Sequence, residues 1–220
     1  MTLVLVHGAG EDHHVWDPWC ALLAPYPVLA IDLPGRLDVP GPALTTVADA
    51  ARFVADLTAA RGVDRFVVAG HSYGSAIALE LALTFPERVS GLVLASSGAR
   101  LRVHPAIYEA LSEGRDPAQN GAPWSKQMPI ETAIADWHAV GGFDRLGQPL
   151  GVRAPTLVVV GELDPLTPPK YARYLVEHIA GAELVLVPNA GHEVPFEQAE
   201  TVVAHVRKLL TPAVSGRGAA

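Results

Sequence analysis

Six short apolar runs recur along the chain, at residues 3–6 (LVLV), 28–31 (VLAI), 66–69 (FVVA), 91–95 (GLVLA), 156–160 (TLVVV) and 183–187 (ELVLV). Each is too short for a helix, almost continuously apolar and closed by turn residues, which suits strands buried on both faces. Between them, residues 47–61, 75–85, 170–180 and 197–210 repeat their apolar positions at the helical period. This alternation predicts an α/β fold: a mostly parallel, doubly wound sheet of about six strands.

The rhythm breaks at about residues 98–149. No buried-strand run occurs there; short amphipathic pieces instead carry Ile107, Tyr108, Leu111, Trp124, Met128, Ile134, Trp137 and Phe143. The segment reads as a helical insertion over one edge of the sheet, within a single domain spanning 1–220. Most of its large side chains are expected to pack the insertion down, and some to face whatever it covers. The small, polar stretch 211–220 reads as a loosely packed tail.

Composition narrows the field of functions. Half of the 220 residues are hydrophobic, 18% are charged, and the formal net charge is −7. That balance is globular and carries no basic footprint for nucleic acid or an anionic membrane. A lone cysteine, Cys20, excludes an internal disulfide and fits a reducing compartment. The opening MTLVLVHGAG lacks a basic n-region and is too short an apolar run for a leader or a span. The expectation is a cytoplasmic monomer or homodimer that acts on a small molecule.

The candidate chemistry sits in VVAGHSYGSAIALEL, residues 67–81, where Ser72 lies between Gly70 and Gly74 at the joint of a strand and a helix. A nucleophile on so tight a turn projects from the sheet edge, and the helix behind it points its positive end at a developing oxyanion. Serine needs a base, and the base needs an orienting acid. Of nine histidines, His104, His138, His178 and His205 lie in helical or insertion segments without an acid or turn context. His192 follows the last strand in ELVLVPNAGHEVPFEQ and is the expected base; His71, beside the serine, is not. Asp164, in the turn of TLVVVGELDPLTPP, is the expected acid ahead of its competitor Glu162, with an Asx-turn role as the bland reading of that aspartate. HGAG at 7–10 follows the first strand, and the amides of Ala9 and Tyr73 are the candidate oxyanion hole, with His7 pinning the loop. Glu11, Asp12, His13 and His14 lack a metal-ligand spacing, so no metal and no cofactor is expected.

Taken together, LVLVHGAG, AIDLPG, VVAGHSYGSAIALELALTFPERVSGLVLASS, VVVGELDPLTPP and NAGHEVPFEQ resemble the α/β-hydrolase superfamily across roughly residues 2–210. Ser72, Asp164 and His192 occur in that superfamily's chain order for a nucleophile–acid–base triad. Within it, the chain is similar to the esterase, lactonase and carbon–carbon-bond hydrolase group with a helical cap. Serine at position 72 argues against the branches that place aspartate there. Three departures stand out. The HG strand begins at Thr2, so the family's N-terminal hairpin is expected to be missing; DLPGRLDVP keeps Asp32 and Gly35 but loses a second glycine and a serine; and the cap is short. The resemblance implies a serine hydrolase. A small, fairly hydrophobic carboxylic ester is the preferred substrate, because Trp16, Tyr108, Trp124, Met128 and Trp137 are expected to line the pocket and no arginine cluster is evident near it. A lactonase, a carbon–carbon-bond hydrolase, a lyase or cofactor-free oxygenase, and a small-molecule receptor remain alternatives on the same fold.

Overall fold

A computed structural model describes residues 1–37, 39–115 and 128–211. Its six strands are β1 (Thr2–Val6), β2 (Val28–Ile31), β3 (Phe66–His71), β4 (Val89–Ala95), β5 (Thr156–Gly161) and β6 (Glu183–Val187). They form one sheet in the order β2-β1-β3-β4-β5-β6, every pair parallel. The helices are α1 (Asp17–Leu22), α2 (Val47–Ala60), α3 (Tyr73–Thr84), α4 (Pro105–Ser112), α5 (Ile130–Gly142), α6 (Pro169–His178), α7 (Val194–Glu197) and α8 (Ala199–Leu210).

Alternate strand positions serve opposite cores, which is why the runs read as continuously apolar. Val4, Val6, Val68, Leu92, Leu94, Val158 and Val160 pack towards α2, α3, α5 and α6. Leu3, Leu5, Val67, Ala69, Val93, Leu157 and Val159 pack on the other face, against Trp16, Trp19 and the apolar side of α8. Helix α3 is buried along Tyr73–Ala82, so its sequence is apolar all round rather than amphipathic. The helical stretch expected at 197–210 is interrupted at Gln198, whose φ of −130° and ψ of 44° separate α7 from α8.

Helices α4 and α5 lie between β4 and β5, in the segment read as an insertion. Ion pairs help to fasten this segment. The Arg145 guanidinium forks onto the buried Glu80 carboxylate of α3. Arg36, after β2, pairs with Asp136 of α5 at 2.7 Å, both side chains 1% exposed.

Candidate active site

The parallel register delivers the chemistry to one edge. Val6 is paired with Gly70, His71 with Ala95, and Gly161 with Val187, so the loops after β1, β3, β5 and β6 all leave from the C-terminal side of the sheet. Ser72 is the residue between β3 and α3, at φ 51° and ψ −112°. A side chain held there stores strain of about 1–3 kcal/mol. A Cβ on Gly70 would lie 2.1 Å from the Gly74 carbonyl oxygen, and one on Gly74 would lie 2.1 Å from that of Val6. The turn therefore closes only with glycine at both positions. Ser75 locks it from behind: its one hydroxyl proton has the Gly70 and Ala95 carbonyls within reach, at 2.6 and 2.8 Å, and its oxygen accepts the Ala95 N–H.

His192 reaches the site on the loop after β6. Its carbonyl accepts the Ser96 hydroxyl at 2.6 Å and faces the His71 Nε2 at 3.1 Å, which holds the loop over the end of β4. Its Nδ1 lies 2.9 and 3.0 Å from the two Asp164 oxygens, so the ring donates from Nδ1 and keeps Nε2 free to accept. Asp164 also accepts the N–H groups of Leu166 and Thr167 and the Thr167 hydroxyl. The Asx-turn role and the orienting role are thus filled by one carboxylate. Burial raises the Asp164 pKa, but the hydrogen bond and charge of His192 and the Thr167 bonds outweigh it, and the group sits below the usual range. Glu162, the competitor, is exposed.

Ser72 and His192 line the same cavity of about 400 Å³. No hydrogen bond joins them among the described residues; bonds of this type tighten when the complex forms. On the near side, the Gly8 N–H donates to Glu11 at 2.6 Å and the Gly10 N–H to Asp136 at 3.0 Å. The Ala9 N–H between them has no acceptor among the described residues. As the first residue of α3, Tyr73 likewise presents an N–H with no intrahelical partner. His7 pins this loop: Nδ1 donates to the Gly8 carbonyl, and Nε2 accepts from Leu33 N–H and Arg36. Burial, followed by the Arg36 charge, holds its pKa well below the ordinary imidazole range.

The rest of the cavity is mostly apolar, with Leu101, Val103, Ile107, Trp137, Val140, Pro165 and Leu166 in its wall. Of the expected pocket residues that are described, only Trp137 lies in this lining. Trp16 is fully buried beneath the sheet, edge-on to Trp19 at 4.9 Å and to Phe196 at 5.1 Å, because an indole of that size is best covered by the α1–α8 core. Tyr108 stands behind the wall, its hydroxyl donating to the Trp137 carbonyl at 2.9 Å. Met128 is buried but is not part of the lining, and Trp124 lies outside the described residues. One arginine stands at the site itself. Arg102 borders the cavity and, with Arg100 and Lys170, an adjoining one of about 500 Å³.

Among the described residues, two groups have donor atoms close enough to hold a cation: Asp12 with His13 and His14, and His71 with His192 and Glu193. Several of these donors are engaged elsewhere. His13 Nδ1 is 2.6 Å from Asp32, Asp12 caps the His14 N–H, and both His71 nitrogens face protein acceptors.

A sequence profile of the alpha/beta hydrolase family matches residues 3–205. The chain belongs to the alpha/beta hydrolase family. Among family relatives, a pimeloyl-[acyl-carrier protein] methyl ester esterase of Neisseria meningitidis serogroup C is 29% identical over 236 residues, covering 92% of this chain and 91% of its own. An enzyme of the same name from Pectobacterium carotovorum is 30% identical over 228 residues, 88% of each chain. Among solved structures, the enol-lactonase of Burkholderia xenovorans LB400 superposes with a TM-score of 0.86 at 23% identity, over 95% of this chain and 90% of that one. This last likeness is one of alpha/beta hydrolase fold.

Sequence reasoning missed Thr167, Ser96, Arg36 and Asp136. Thr167 carried a signal, since a hydroxyl three residues past an Asx-turn aspartate is placed to bond it. The others have partners distant in sequence.

Proposed function

We propose that the protein is a carboxylic ester hydrolase that works through an acyl-enzyme on Ser72. The observation that carries this reading is Ser72, strained at the end of β3, sharing a cavity with a His192 whose Nδ1 is fixed 2.9 Å from Asp164. His192 Nε2 takes the Ser72 proton as Oγ attacks the ester carbonyl, and Asp164 stabilises the imidazolium. The N–H groups of Ala9 and Tyr73 hold the oxyanion, each worth about 3 kcal/mol to the transition state. His192 returns its proton to the departing alkoxide. It then activates a water that releases the acid and regenerates Ser72.

The apolar wall suits a small, fairly hydrophobic acyl group. The ester-cleaving names of the relatives at 29–30% identity support the ester bond as the target. No described helix is long and apolar enough to cross a membrane. Cys20, exposed and unpaired, agrees with work in the cytoplasm. The test is a series of 4-nitrophenyl esters from acetate to decanoate. The expected result is a kcat/KM that rises to a maximum at intermediate chain length, as the cavity fills, and then falls. No turnover of any member would remove the esterase reading.

A further inference from the structure

The residue before the nucleophile has a polar partner at each of its ring nitrogens. His71 is fully buried. Its Nδ1 lies 3.4 Å from Glu11 Oε2, the same oxygen that accepts the Gly8 N–H. Its Nε2 lies 3.1 Å from the His192 carbonyl and 3.9 Å from Glu193. Phe196 closes one side of the ring, edge-on at 5.1 Å. With an acceptor at each nitrogen, the ring is satisfied only when both carry protons. Without that charge, the Glu11 carboxylate, 5% exposed, would stand uncompensated beside the Ala9 turn, where negative charge must develop.

We propose that His71 is a positioning residue for the hydrolysis: as a buried imidazolium it ties the Gly8 turn, through Glu11, to the His192 backbone, and it neutralises Glu11 next to the oxyanion site. One ring thereby couples the three loops that carry nucleophile, base and oxyanion donors. The inference rests on the ester-hydrolase reading above.

The balance of its surroundings supports the charge. Burial favours the neutral ring, but Glu11 and then Glu193, with the bonds to Glu11 and the His192 carbonyl, raise its pKa from 6.5 to about 9. The other groups that act on this cluster are His7 and His192, Glu197 through Glu193, and the Arg36–Asp136 pair, whose carboxylate interacts with Glu11 and whose guanidinium donates to the Glu11 carbonyl. The sign follows directly. In the folded protein the imidazolium and its contacts hold through neutral pH and are lost as pH rises through about 9; their contribution to folding stability is full below about pH 6.5 and falls away towards 9.

The test uses His71→Gln, Glu11→Gln and the double variant, with 4-nitrophenyl butyrate hydrolysis followed from neutral to strongly alkaline pH. His71→Gln is expected to lower kcat by about ten- to a hundredfold with KM changed by less than about twofold, and to abolish an alkaline limb near pH 9. Adding Glu11→Gln to His71→Gln is expected to recover most of the lost kcat, because the uncompensated carboxylate is gone. If His71→Gln does not fold, Glu11→Gln alone decides: loss of the leading raising charge must move the alkaline limb to lower pH. A His71→Gln enzyme with wild-type kcat and an unmoved alkaline limb overturns the inference. So does a double variant slower than His71→Gln, or a Glu11→Gln limb that stays in place. These outcomes leave wild-type turnover intact. Absence of Ser72-dependent turnover in the wild type defeats instead the hydrolase reading, and this inference with it.

Discussion

Ser72→Ala is expected to lower kcat/KM for 4-nitrophenyl butyrate by on the order of 10⁵-fold while leaving the fold unchanged. The loss is large because the hydroxyl is the reacting group; without it the pocket and the oxyanion donors still bind the ester, and only slow attack by water remains. The fold is spared because the hydroxyl makes no hydrogen bond among the described residues and the turn is held by other atoms. Gly70 and Gly74 allow the close approach, and the Ser75 hydroxyl has the carbonyls of Gly70 and Ala95 within reach. Thermal unfolding and circular dichroism check the second half of the expectation, and initial rates over a long assay check the first. A variant retaining a tenth of the activity would leave Ser72 as an ordinary turn residue.

The second large effect is on stability. Arg36→Ala is expected to cost about 3–5 kcal/mol, because it leaves Asp136 buried without its counter-charge. The midpoint of thermal unfolding should fall by on the order of 10 °C. Arg36 also donates to His7 and to the Glu11 carbonyl, so the loop carrying Ala9 loses two supports at once. Burial already raises the Asp136 pKa, with Arg36 and the Gly10 N–H pulling it back. Removing Arg36 lifts it further, so the folded variant binds a proton more readily than the unfolded chain does. Its deficit should therefore shrink as pH falls and grow as pH rises. Replacing both partners, Arg36→Met with Asp136→Leu, is expected to recover much of the loss, because no charge is then left stranded. Denaturant titrations of the wild type and these two variants at two pH values check these signs.

The contrast between Asp164 and Asp136 shows which parts of the site were legible in the sequence. Asp164, like Ser72 and His192, sits in a turn straight after an apolar run, and a parallel sheet sends all such turns to one edge; local pattern plus topology was enough to place them there. Asp136 lies in an apolar helix, and its partner Arg36 is reached only through the fold, so neither carried a local signal. Trp16 erred in the opposite direction. A large aromatic residue in the loop after the HG motif reads equally well as pocket wall or as core, and packing with Trp19 and Phe196 decided for core. Lys170 joins Arg100 and Arg102 around one cavity only because the start of α6 folds beside the loop after β4, a meeting that the sequence alone does not show. His71 was read only as a rejected base. Its partners Glu11 and Glu193 follow β1 and β6 and meet at the ring only once the sheet has formed.

The account stands most directly on the covalent intermediate. In a rapid-quench experiment, the protein is mixed with excess 4-nitrophenyl butyrate, acidified within the first turnover, digested and analysed by mass spectrometry. A butyryl group on the peptide containing Ser72, formed with stoichiometric release of nitrophenol and absent from Ser72→Ala, is the predicted result. Steady turnover with no acyl adduct, or with the adduct on another residue, would contradict it.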